Sequence, residues 1–164
     1  MTPTLYSNYL NSAGERVRIA LALKGIDYDY VSVGQMGWDV YETINPQRLM
    51  PALKIGDHIV PQATAILEYL EETYPEPALL PADPVLRAQA RGFAQHVVSE
   101  MHAIDVIRVR RFLHHELGVG EAGIDHWQRL VPETAHPVRA AALHPRHHPL
   151  GAAPVPGPPP RVLG

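Results

Sequence analysis

The chain has 164 residues, 46% of them apolar, with a formal net charge of −3 and no cysteine. That apolar share suffices for a core, and the mild negative charge gives no general attraction to nucleic acid or an anionic membrane. The missing cysteine excludes disulfides, cysteine-ligated zinc and a cysteine nucleophile. No basic stretch followed by an unbroken apolar run opens the sequence, and no apolar segment is long enough to span a bilayer, so the expectation is a soluble, cytoplasmic protein.

"TLYS", Thr4 to Ser7, reads as a short strand. Asn11 or Ser12 suits the N-cap of the helix that follows, where Val17, Ala20, Leu21 and Leu23 share an inward face and Arg16, Arg18 and Lys24 point out. The start of this helix, with Asn11, Ser12, Gly14 and Arg16, collects groups that hold a negative charge at a helix N-terminus. Gly25 is a C-terminal stop. Tyr28 to Val33, rich in aromatic and β-branched residues, is a second strand, so the opening is a βαβ unit with two parallel strands. A loop from Gly34 to Gly37 and a short helix ending at "INP" come next. "MPALKIGDHIVPQ" then predicts a hairpin of Ala52–Ile55 and His58–Val60 around a Gly56-Asp57 turn. Thr64 is placed to cap the helix "AILEYLEETY", whose Ile66, Leu67 and Leu70 recur at helical spacing.

Prolines at 75, 77, 81 and 84 mark a linker. One long helix is expected from Pro84 to Leu117, with Leu86, Ala90, Phe93, Val97, Met101 and Ile104 as a core stripe; Gly118 and Gly120 end it, and "EAGIDHWQRL" begins another. The order βαβ, ββα and then helices predicts an α/β thioredoxin-like N-terminal domain followed by an all-α, incomplete C-terminal helical domain. The expected boundaries are residues 1–76 for the first, 77–83 for the linker and 84–130 for the partial helical domain. Nine of the 17 prolines lie after residue 130, in a segment with one acid, Glu133, so residues 131–164 are expected to be a disordered tail. The bias of that tail toward Pro, Ala, Arg, Gly and His, starting abruptly inside a helix, resembles a GC-rich gene read out of frame. His144, His147 and His148 there are incidental composition, and no metal site is expected.

Four stretches carry a family resemblance: "RVRIALALKGIDY", "INPQRLMPALKIGDHIV", "QATAILEYLEETYPEPALLPADP" and "MHAIDVIRVRRFL". Together they resemble the glutathione transferases, and within them the zeta class, the maleylacetoacetate and maleylpyruvate isomerases of aromatic amino acid catabolism. The resemblance covers Leu5 to about Leu130 and implies the following site. Met50-Pro51 matches a residue plus cis-proline whose outward backbone pairs with the cysteinyl backbone of glutathione like an added strand. Gln62 and Ala63 match a Gln-Ser pair that opens a helix and holds the γ-glutamyl carboxylate on free amides. With alanine in place of serine the hydroxyl donor is lost, at a cost of roughly 0.5–1.5 kcal/mol.

Asn11, Ser12, Ala13 and Gly14 stand where the family has two serines followed by cysteine, alanine or threonine, in a turn that favours the thiolate of glutathione over its thiol. The first serine is asparagine here, which leaves Ser12 as the hydroxyl for sulfur activation, the catalytic candidate; a plain N-cap serine is the alternative. His102 matches a position lining glutathione, and Arg108 one whose planar fork suits a substrate carboxylate. Val106 stands where the family commonly has asparagine.

The implied activity is glutathione-dependent cis–trans isomerisation of a maleyl-type diacid: the thiolate adds to the activated double bond, the adduct rotates, and elimination releases the trans product. Glutathione is the implied cofactor, a small dicarboxylate the substrate and a homodimer the assembly, with no nucleic-acid or membrane partner. A general glutathione transferase and an inactive glutathione-binding or dimerising relative are the alternatives.

Overall fold

A computed structural model of the chain describes residues 2–129. They fall in two compact units, one ending at Arg87 and the other beginning at Ala88. No helix of the described residues is long and apolar enough to cross a membrane.

The first unit contains β1 (Thr4–Ser7), α1 (Ser12–Leu23), β2 (Asp29–Ser32), α2 (Val33–Met36), α3 (Trp38–Ile44), β3 (Ala52–Ile55), β4 (His58–Pro61) and α4 (Ala63–Thr73). The four strands form one sheet in the order β2-β1-β3-β4. β1 runs parallel to β2 and antiparallel to β3, and β3 runs antiparallel to β4. This is the thioredoxin-like arrangement expected from the element order.

The sheet is covered on both faces because alternate strand residues point to opposite sides. Leu5 and Leu53 join Val17 and Leu21 of α1 and Ile66 and Leu70 of α4 in one cluster. Their neighbours Tyr6 and Ala52 join Val33 and Tyr41 in the other. Leu5, Leu21, Leu53, Ile66 and Leu70 are fully buried, each worth about 1.5–3 kcal/mol relative to exposure.

Local chemistry fixes the joins. Gly25 takes φ +63°, its N–H donates to Ala22 O at 3.1 Å, and Ile26 N–H donates to Leu21 O at 2.9 Å, the paired bonds of a glycine helix stop. The β3–β4 hairpin closes with Ile55 opposite His58 and Gly56 at φ +58°.

Several expectations are corrected. Strand pairing of β2 stops at Ser32 because Val33 begins α2, so residues 34–36 are helical rather than a loop. Gln62, not Thr64, is the N-cap of α4, because its φ of +72° turns the chain directly from β4 into the helix. Leu23 is 60% exposed and Lys24 is buried, the reverse of the expected order. The spacing explains the swap: Val17, Ala20, Leu21 and Lys24 lie at 3–4 intervals on one face, and the Lys24 charge is met by Glu71 at 2.7 Å. Arg16 and Arg18 are half-buried rather than outward. The Arg18 guanidinium lies 5.3 Å from the centre of the Tyr9 ring and donates to Tyr9 O at 2.9 Å, folding back over the turn before α1.

The helical region begins with α5 (Pro84–His96) and a π-helical stretch, Val97–His102, in which Ala103 N–H donates to Val98 O five residues back. Then come α6 (Ala103–Asp105), α7 (Ile107–Arg111), a second π-helical stretch (Phe112–Glu116) and α8, residues 121–129. The single long helix is therefore a correction: Val106, at φ −66° and ψ 146°, is extended and interrupts it. Gly118, at φ +65°, ends the second part as expected. Among the described residues none beyond Leu70 is buried, and Phe93, Phe112 and Leu117 of this region are about half exposed. The expected tail with its three histidines lies outside the described residues.

Candidate functional site

The sheet register gathers one end of the first unit. Tyr6 of β1 pairs with Ala52 of β3, and Ala52 pairs with Pro61 of β4. The residues just beyond that row are the turn 8–11 with the start of α1, the Met50-Pro51 segment, and Gln62 with the start of α4. The carboxyl end of β2 lies there too, since Ser7 pairs with Ser32. Six of the candidate residues, Asn11, Ser12, Met50, Pro51, Gln62 and Ala63, are thus brought to one sheet end, where two helix N-termini supply partial positive charge.

At the α1 end, Asn11 is the N-cap, at φ −140° and ψ 104°, and its Oδ1 accepts the Gly14 N–H at 2.5 Å. The N-cap alternative for Ser12 is therefore excluded: Ser12 is the first helical residue, and it is exposed. With Oδ1 committed to the cap, the amide NH₂ is the part of Asn11 left to donate. Behind the turn lies Ser7, fully buried, its hydroxyl donating to Asn8 O at 3.3 Å and standing 3.5 Å from Asn11 Oδ1. Gly14 is required by this packing, since a Cβ there would sit 1.9 Å from Ser7 Oγ. Asn8 ties the turn to α2 by accepting the Gly34 N–H at 2.8 Å. Arg16, in the same first turns, has its pKa lowered by burial, yet a guanidinium of this kind stays protonated in water.

The α4 end differs. Gln62 holds a positive φ, rare for a residue with a Cβ, and makes no side-chain cap hydrogen bond. Its Nε2 instead donates to Gln47 Oε1 at 3.2 Å. The first-turn N–H groups of α4 therefore lack the side-chain acceptor that α1 has, which suits them to an incoming carboxylate. Ala63 is buried at this start.

Between the two ends the Met50-Pro51 bond is cis, as the resemblance implies, with Pro51 buried and Met50 half-buried. Leu49 O, just before it, accepts from Tyr41 OH at 2.7 Å and from Asn45 Nδ2 at 2.8 Å. Burial raises the Tyr41 pKa, partly opposed by the Asn45 hydrogen bond, so the phenol stays a donor at neutral pH.

His102 and Arg108 belong to the second unit. His102 closes the first π-helical stretch and is half-buried; Arg108 is exposed in the first turn of α7.

Residues 5–78 match the family model for the glutathione S-transferase N-terminal domain. Over 128 residues the chain is 41% identical to a maleylpyruvate isomerase from a Ralstonia species, covering 75% of this chain and 60% of that one. A holo structure of a maleylpyruvate isomerase, described as a bacterial zeta-class glutathione S-transferase, superposes with a TM-score of 0.79 at 37% identity, covering 87% of this chain and 70% of the other. The chain belongs to the zeta class of the glutathione S-transferases. A maleylacetoacetate isomerase from Methylobacterium extorquens, solved with bound malonate and glutathione, gives 0.77 at 38% identity over 84% of this chain and 67% of that one. The chain spans about half to two thirds of the length of the curated relatives it matches.

Sequence reading missed three supports of this site, Ser7, Tyr41 and Asn45, and it named Gly14 without its packing against Ser7. Asn45 could have been found, since it begins the "NP" turn before the proline strand, and a side chain there commonly bonds nearby backbone. Ser7 and Tyr41 gave no such signal, because their roles rest on contacts across the sheet.

Proposed function

We propose that this chain is a glutathione-dependent cis–trans isomerase of a maleyl-type diacid. One observation carries the reading: the strand register that sets the Asn11–Ser12 turn, Met50-Pro51 and the uncapped start of α4 at a single sheet end. The Methylobacterium relative, which holds glutathione together with a dicarboxylate, supports the substrate class.

The residues present fit glutathione at that end. The α4 amides at Ala63 and Thr64 bind its γ-glutamyl carboxylate, and the Met50 backbone pairs with its cysteinyl backbone. Bound glutathione supplies a thiolate able to add to and leave an activated double bond. Ser12 and the Asn11 amide donate to the sulfur, and the α1 N-terminus favours its anionic form. His102 lines the glutathione, and Arg108 pairs with a substrate carboxylate bidentately. The proposed domains are 1–76 and 84–130 with a linker at 77–83, and the proposed assembly is a cytoplasmic homodimer.

One observation favours a second reading, a glutathione-binding relative without turnover: Asn11, in a serine's place, spends its Oδ1 on the Gly14 N–H and has no hydroxyl to offer, so Ser12 is the one hydroxyl of the Asn11–Gly14 turn. Calorimetry with glutathione and a glutathione-dependent assay on maleylpyruvate separate the two. Binding with turnover supports the isomerase; binding alone supports the second reading; no heat at millimolar glutathione removes both.

A further inference from the structure

The interruption at Val106 is not marked by a helix breaker, and its β-branched neighbours disfavour helix only mildly. No glycine or proline lies between Phe93 and Leu117, and an uninterrupted helix was the expected outcome. In such a helix Ile104 O would accept the Arg108 N–H. Instead the carbonyl of Val106 starts a new helix, accepting from Val109 N–H at 2.9 Å and Arg110 N–H at 3.3 Å. Ile104 O, released by the break, accepts the indole N–H of Trp127 at 2.9 Å. On the adjacent residue, Asp105 Oδ1 accepts from Gln128 Nε2 at 3.4 Å and lies 3.8 Å from Arg110 Nε. Two consecutive residues of α8 therefore occupy the acceptors on the N-terminal side of the break.

From this we infer that Trp127 is a positioning residue: by holding Ile104 O it keeps the helix broken at Val106 and so sets the direction in which Arg108 leaves α7. The functional half of this inference rests on the reading of Arg108 as the partner of a substrate carboxylate. Its structural half does not.

The test uses Trp127→Phe in the full chain, which keeps an aromatic ring and removes the N–H. Ile104 O is then open to Arg108, the helix runs through residue 106, and amide hydrogen exchange at 107–108 slows. KM for a maleyl diacid rises roughly threefold to tenfold, the range one net hydrogen bond spans, while turnover of an uncharged electrophile is unchanged. Adding Ile107→Pro restores the break by backbone chemistry, since proline suits the first helical position and holds the preceding residue extended. Residue 107 then has no amide proton, so the double variant should recover fast exchange at Arg108 and the original KM.

Exchange at 107–108 unaltered by Trp127→Phe, or a double variant that regains the break while KM stays raised, overturns the inference. Should Trp127→Phe alone not fold, a soluble double variant with fast exchange at Arg108 supports it and an insoluble one overturns it. If no diacid is turned over by any form, the isomerase reading fails and the exchange result still decides what Trp127 does.

Discussion

Lys24 offers the sharpest test of how the first unit holds together. Its side chain is fully covered, and its ammonium donates to Glu71 Oε2 at 2.7 Å, Tyr74 O at 2.7 Å and Pro77 O at 2.9 Å. All three N–H bonds are used, and they join the end of α1 to the end of α4 and the chain beyond it. Lys24→Met keeps most of the side-chain volume and removes every one of these bonds. Removing one partner of a buried pair costs about 3–5 kcal/mol. The low end applies here, because Glu71 keeps hydrogen bonds from the Leu79 and Leu80 N–H groups and is slightly exposed. A loss of about 3 kcal/mol lowers the melting temperature of a domain this size by about 12–24 °C. Urea unfolding at pH 7 measures it.

The same pair predicts a pH dependence. Burial pushes the Glu71 carboxyl up, but the hydrogen bonds from Lys24, Leu79 and Leu80 and the Lys24 charge outweigh it, leaving its folded pKa below the usual value. Its stabilisation is therefore present above the unfolded pKa of about 4.3 and is lost as pH falls through the lower folded value. The gap between wild type and Lys24→Met should narrow across that window. A loss below about 1 kcal/mol at pH 7, the size of an exposed pair, would refute the buried-pair reasoning.

Gly14→Ala places a Cβ 1.9 Å from Ser7 Oγ and 2.8 Å from Asn11 Oδ1, so it should cost about 1–3 kcal/mol and weaken glutathione binding; denaturant titration and calorimetry read the two effects. Arg108→Ala should slow turnover of a maleyl diacid more than that of an uncharged electrophile, by the ~1.5–3 kcal/mol of a charge-assisted contact; equal losses would assign Arg108 to glutathione binding or to the fold. With Phe93, Phe112 and Leu117 about half exposed, melting should depend on protein concentration, and a concentration-independent transition with monomer mass by light scattering would contradict that.

The parts of the fold written in local sequence were legible: β1, the two-residue hairpin turn and the Gly25 stop; the cis proline was implied by the family resemblance. What was hidden depends on distant partners. Lys24 looked exposed because a charge on an apolar face is ordinarily excluded from a core, and Glu71, its partner, lies 47 positions further on. Val106 looked helical because no glycine or proline stands near it and the apolar stripe runs up to it, while the indole that meets Ile104 O belongs to α8.

The site shows the same division. Which residues gather at the sheet end was legible from the motifs, but the different capping of the two helix starts was not. Asn11 stands in a serine's place, and only the fold shows that its oxygen satisfies Gly14 while its NH₂ is left to donate. Gln62 stands at the other start and makes no side-chain cap hydrogen bond, which suits the amides behind it to an external anion. One helix start is capped by a side chain and the other is not, and the register Tyr6–Ala52–Pro61 sets both at one sheet end. A slip of one residue in β3 would turn Leu53 out of the core and shift Met50 relative to both starts. The burial of Leu53 against α1 and α4 thus fixes the site as well as the core.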